Sequence, residues 1–226
     1  MGKASAVVHA HPGLKHQVIY GEALVKGLRR HGIQAEVVRN ANAEADIHVM
    51  MGPWFAFKQW RYHPRALYLD RAYWGDPKCV SVHWLRHGEK VFTHLGRHRH
   101  HPDTKPYKSG DRVIVLADYD TTPDYDGPAT VRQHPARHKE AETLKHALER
   151  HDVAIGGRTT ALVDAALMGL KVITDDMHSP VWPISGQVNY VARALWLEDL
   201  AWHNWSLDEI ENGAYIDALG GFDDAR

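Results

Sequence analysis

The chain has 226 residues, 44% of them hydrophobic and 24% charged, and its 27 basic and 28 acidic side chains leave a formal charge of -1. These values exclude a disordered or fibrous chain and any general attraction for polyanions, so a nucleic acid would need a local basic patch. The single cysteine, Cys79, excludes an internal disulfide framework; with no secretory pattern at the start and no bilayer-length apolar stretch, a cytoplasmic protein without membrane contact is expected.

ASAVVHA at 4–10 reads as a buried strand, and an HPG loop follows it. From Lys15 to His31 the apolar residues Ile19, Ala23, Leu24, Gly27 and Leu28 fall near one helical face, with Gly32 placed to end the helix. Strands at 33–38 and 46–51 complete a βαβ start. Trp54 to Trp60 is aromatic and reads as a short helix or loop, 65–70 is another strand candidate, 80–85 is a strand or hairpin arm, and 89–93 can pair with it.

The polar stretch GRHRHHPDTKPYKSG at 96–110, with its two prolines, is the clearest break in composition. It predicts an N-terminal domain over 1–96, a connector over 97–110, a second domain over 111–187 and a C-terminal helical segment over 188–226. Within the second domain RVIVLA at 112–117 and residues 129–132 are strands, and 138–151 has helical spacing. A strand at 153–155, a helix over 159–168 ended by Gly169, and a strand at 171–174 follow. A helix over 188–197 and a capping box at Ser206 and Glu209 close the chain. Repeated β-loop-α order predicts an α/β fold of two compact Rossmann-like halves facing a cleft.

The most informative constellation is VRQHPARH at 131–138 followed by DVAIGGRTTALVDAALMGLKVI at 152–173. Two strands there end beside loops holding Arg132 and His134, then Gly156, Gly157, Arg158, Thr159 and Thr160. In an open α/β sheet such loops line the ligand crevice. Glycines allow close backbone approach, and N–H groups at the next helix start can donate to phosphate. Thr159 and Thr160 either contact that phosphate or cap the helix. Asp164 is a ribose-binding acid or an exposed carboxylate, and Arg132 and His134 are anion contacts or ordinary loop residues.

This arrangement resembles the C-terminal nucleotide-binding half of GT-B glycosyltransferases, over about residues 129–174. The resemblance implies a nucleotide sugar, UDP-linked or another, as donor substrate rather than a tightly bound cofactor. By it, Thr159 and Thr160 look like diphosphate contacts and Asp164 like the ribose acid, where that family commonly has glutamate. It also implies an acceptor hydroxyl and a base in the first half, for which His11, Asp70 and Asp76 are the candidates, with Arg71 to hold a carboxylate or an acceptor phosphate. The compact length and the LDRAYWGDP segment are similar, at the level of enzyme class, to viral enzymes that glycosylate hydroxymethylated pyrimidines in DNA. Arg97, Arg99, Lys105 and Lys108 would then meet the duplex phosphates.

Other chemistries have weaker support. Histidines at 98, 100, 101, 134 and 138 cluster without an HExxH or CxxC pattern, so no metal centre is expected. No GxSxG or GxGxxG occurs in a fitting context. The different-class alternative is a nonenzymatic nucleotide or nucleic-acid binding protein.

Overall fold

The computed structural model describes residues 4–11, 13–38, 43–51, 60, 62–74, 79–86, 89–90, 101–119 and 121–219. It is a mixed α/β protein whose contacts divide the chain into two units, residues 1–98 with 201–226, and residues 99–200. It contains a mixed sheet with a path of six strands and a parallel sheet of four, compatible with a Rossmann-like α/β fold.

The first unit is built on β1 (Ser5–His9), β2 (Gln34–Val38), β3 (Ile47–Met51), β4 (Ala66–Arg71), β5 (Val80–Arg86) and the two-residue β6 (Glu89–Lys90). The helix α1 (Lys15–Arg30) joins β1 to β2. Strands β2, β1, β3 and β4 run parallel in that order, and β5 pairs antiparallel with β4. Valine, isoleucine and leucine dominate the central strands because these run buried on both faces.

One face is apolar: Ala6, Val8, Ile47, Val49, Met51, Leu67, Leu69, Val80 and Val82 pack with Leu24 and Leu28 of α1 in a single core. The register puts His9, Met50, Tyr68 and His83 in one row on the opposite face. The three imidazole-bearing or phenolic positions of that row make the second face polar, and its histidines are fully buried.

The second unit holds β7 (Val113–Leu116), β8 (Ala129–Arg132), β9 (Val153–Gly156) and β10 (Lys171–Ile173), all parallel. The short helices α2 (Leu144–Glu149) and α3 (Ala161–Leu167) precede β9 and β10, while 117–128 reaches β8 without a helix among its described residues. The helix expected over 138–151 is therefore six residues long. Thr143 is extended and its side chain accepts from the His146 N–H, fixing the helix start there, and Glu140 instead accepts from the Gln133 N–H.

The expected connector is ordered structure over 101–110. Lys105 N–H donates to the Leu167 carbonyl and Lys108 N–H to the Gly169 carbonyl, binding this stretch to the end of α3. Gly169 has φ +83°, and a Cβ there would overlap the Pro106 carbonyl oxygen.

The helix α4 (Tyr190–Trp202) passes from the second unit's residues into the first's. After it, β11 (Asn204–Trp205) adds an antiparallel strand beside β5, an element the sequence did not announce. The capping box at Ser206 and Glu209 forms as expected and opens α5 (Leu207–Asn212), which Gly213 at φ +86° separates from α6 (Ala214–Ala218). Gly27 lets α1 and α5 approach, since a Cβ there would overlap the Ile210 carbonyl oxygen.

Candidate functional site

Both parallel arrays share one order. In the first unit it is β2-β1-β3-β4 and in the second β8-β7-β9-β10, so each has its switch point beside its first strand, where ligands bind at the carboxyl ends.

In the second unit that point lies between β7 and β9. Asp118 follows β7, and its Oδ2 accepts the Arg158 N–H from the loop after β9 at 2.7 Å. Gly157 makes this approach possible, because a Cβ there would stand 3.0 Å from the same oxygen. The Arg158 guanidinium in turn donates through Nε to Asp176 Oδ2 at 2.6 Å, and Asp176 Oδ1 accepts the His178 N–H. Three strand ends are thus tied together by one arginine.

Burial raises the Asp118 carboxyl above the ordinary aspartate range. The Arg158 N–H and the charges of His134 and Arg158 oppose that rise, while Asp176 adds to it. Asp176 is also pushed up by burial, but its bonds to Arg158 and the His178 N–H outweigh this and hold it low. His134 meets the Tyr119 ring edge-on at 5.6 Å, and the Arg137 guanidinium lies 5.6 Å from the same ring.

The expected residues divide by their partners. Gly156 closes β9 under Leu162, and Gly157 and Arg158 sit at the switch point. Thr159 Oγ1 accepts the Ala161 N–H, whereas Thr160 occupies the position before α3 without a side-chain cap bond. Among the described residues no acceptor meets the N–H of Thr159 or Thr160. Asp164 lies in the first turn of α3; burial by surrounding protein pushes its carboxyl up to about 6, although the residue retains solvent exposure.

Arg132 donates through Nη2 to the Glu142 carbonyl. Lys108 gives its ammonium to the carbonyls of Leu148, Glu149 and His151 at 2.8, 2.9 and 2.7 Å, so it closes the end of α2. Lys105 has an exposed side chain, while Arg97 and Arg99 lie outside the described residues.

In the first unit the switch point is bridged by Gln17. Its Oε1 accepts the His11 N–H after β1 at 2.8 Å, and its Nε2 donates to the Met51 carbonyl at the end of β3. His11 Nδ1 accepts the Gly13 N–H. Asp70, near the end of β4, accepts the Tyr68 hydroxyl on Oδ2 at 3.1 Å and the Arg71 N–H on Oδ1 at 2.8 Å. His16, in the first turn of α1, is lowered by burial and by the charge of Arg71, with Asp70 opposing. It therefore lies within electrostatic reach of both Asp70 and Arg71. Asp76 lies outside the described residues.

The sequence reading passed over Asp118, Asp176, Tyr68 and His16. An acid immediately beyond RVIVLA, and another beyond KVIT, were the available signals for the first two. No group of three or more histidine, cysteine, aspartate or glutamate side chains among the described residues can hold a metal ion. Cys79 is half-buried and, as the single cysteine of the chain, forms no internal disulfide.

The molecule is thus an α/β protein whose two parallel arrays share one strand order, each with polar side chains at its carboxyl ends. Comparison of the chain with protein-family models, curated proteins and solved structures gives no match. The functional reading rests on the side chains themselves.

Proposed function

We propose that the chain is a glycosyltransferase of GT-B type that uses a nucleotide sugar, with the donor's diphosphate held by residues 99–200 at the carboxyl edge between β7 and β9. The observation that carries this reading is the loop Gly156–Thr160 at the switch point, anchored by Asp118 and carrying the Arg158 cation. Departure of the diphosphate leaves negative charge on its terminal oxygen. Arg158 and the N–H groups of Thr159 and Thr160 stand ready to stabilise that charge. Asp164, near 6, can both donate to and accept from a ribose hydroxyl.

In the first unit Asp70 is the base. Its carboxylate orientation is fixed by Tyr68 and the Arg71 N–H, which suits it to take the proton of an acceptor hydroxyl. A UDP-sugar and a 5-hydroxymethylpyrimidine in duplex DNA are the first donor and acceptor to try. With Lys108 committed to carbonyls, Lys105 is the described lysine of the basic stretch left facing solvent for such a duplex.

Calorimetric titration with UDP, UDP-sugars and other nucleotide sugars tests the donor half of the reading. Arg158→Ala should weaken binding about 10- to 100-fold, the range for losing a charge-assisted hydrogen bond. Asp70→Asn should leave donor binding intact and lower transfer by roughly 10²- to 10⁴-fold. Absence of binding to every nucleotide sugar at millimolar concentration would overturn the reading. Binding without transfer to hydroxymethylated DNA or simpler hydroxyl acceptors would instead identify a nonenzymatic nucleotide-binding protein.

A further inference from the structure

The second face of the first unit's sheet carries a histidine pair that the proposed transfer does not use. His9 on β1 and His48 on β3 are both fully buried. Their rings stack at 9° with Nε2 of His9 3.1 Å from Nδ1 of His48. Trp60 stacks on His48 with 3.8 Å between centroids, and His63 stands 4.6 Å from His48 on the same turn. That turn is closed by the His63 N–H donating to the Trp60 carbonyl.

The network assigns the protons. The Ala45 carbonyl can only accept, so His48 Nε2, 3.1 Å away, carries a hydrogen. A neutral His48 then offers the Nδ1 lone pair, and His9 donates to it through Nε2–H. While His9 donates, a proton on His48 Nδ1 would set two donors face to face; the pair would keep a bond only by moving the His9 hydrogen to Nδ1, with the added charge still buried. A proton on His9 would place a charge in a site with no exposure to water.

We propose that the His9–His48 pair is an acid-sensitive latch, which holds the turn bearing Trp60 and His63 against the sheet while both rings are neutral and releases it when the pair takes up a proton. The charges around the pair favour release. His63 faces His48 from the turn and repels a proton there. Arg65 and Asp46 lie beside His63, and Asp46 is engaged by the N–H and hydroxyl of Ser5. His48 and His9 likewise repel one another's charge. From β4 and β5 the same face presents Ala66, Tyr68, His83 and Leu85 at the paired positions, with the Asp70 carboxylate one step further along β4 and taken up by the Tyr68 hydroxyl.

Burial, with these neighbours, lowers both rings from 6.5 to about 4, against the Ala45 bond that favours the charged form of His48. A released ring returns to about 6.5. One ring alone then shifts the latch toward release by roughly 30-fold at pH 5, the smallest shift the pair produces, and the shift is absent above pH 7.

Hydrogen exchange of the full chain at pH 7.5 and pH 5.0, corrected for the intrinsic pH dependence, tests this directly. Protection at residues 45–50 and 62–66 should fall at least about 30-fold at the lower pH, while β7 and β9 keep theirs. The double variant His9→Gln, His48→Asn retains a donor facing an acceptor but cannot titrate in this range, and should abolish the difference. A second measurement, the imidazole nitrogen shifts of the unaltered protein by NMR, should give a His48 Nε2–H tautomer that persists to below pH 5. Equal protection at both pH values, or imidazoles that titrate near 6.5 in the closed form, would overturn the latch.

Discussion

Asp118 commits one carboxylate oxygen to the Arg158 N–H, and Gly157 is the residue that lets it come so close. Asp118→Ala should therefore lower stability by about 1.5–3 kcal/mol in a denaturant titration, the range for a hydrogen bond to a charged group. Asp118→Asn, which keeps an acceptor, should cost less. The same reasoning reassigns Lys108. Its ammonium closes the end of α2 on three carbonyls, so Lys108→Met should destabilise the protein by about 1–3 kcal/mol rather than simply reduce affinity for a polyanion. Thermal unfolding against binding to duplex DNA separates the two effects.

At the scale of elements, close packing places glycines where side chains cannot follow. Gly27 faces the Ile210 carbonyl where α5 crosses α1, and Ala raises helix propensity at such a site while overlapping that oxygen. Overpacking of this kind should win, with Gly27→Ala destabilising by about 1–3 kcal/mol. The outcome to look for is a lower denaturation midpoint at unchanged m-value. The capping box of α5 is a local device by contrast, worth roughly 1 kcal/mol for Ser206→Ala. A local device is visible in sequence because both of its partners lie within three residues.

For the whole molecule, the groups with displaced protonation set the response to acid. His9 and His48 are lowered in the folded state to about 4, so the unfolded chain binds more protons between that value and 6.5. Stability is therefore fully present above about pH 7 and falls as pH drops through this interval. Asp152 extends the fall. Its bond to Arg112 holds it below the usual aspartate range, and that contribution is lost as pH drops through its folded value, below 3.8. The raised carboxyls of Asp164 and Asp118 oppose this decline and the lowered His16 adds to it, so the fall in unfolding free energy from pH 8 to about pH 4 should be smaller in the His9→Gln, His48→Asn variant than in the unaltered chain. No helix of the described residues is long and apolar enough to cross a membrane.

The sequence by itself determined the element order apart from β11 and α6, because alternating apolar runs and helical spacing are local patterns. Most strands, α1 and the start of α5 fall within a residue or two of their expected places. It also located the glycine loop after β9, where the chemistry of Gly156–Thr160 is written in consecutive residues. Long-range pairing was not legible. The basic connector looked loose until Lys108 met the end of α2. Asp118 gained its place only when β7 and β9 became neighbours, and His9 met His48 only when β1 and β3 did. The physical reason is common to these cases. A hydrogen bond between residues some 40 apart depends on strand order and register, which no single segment encodes.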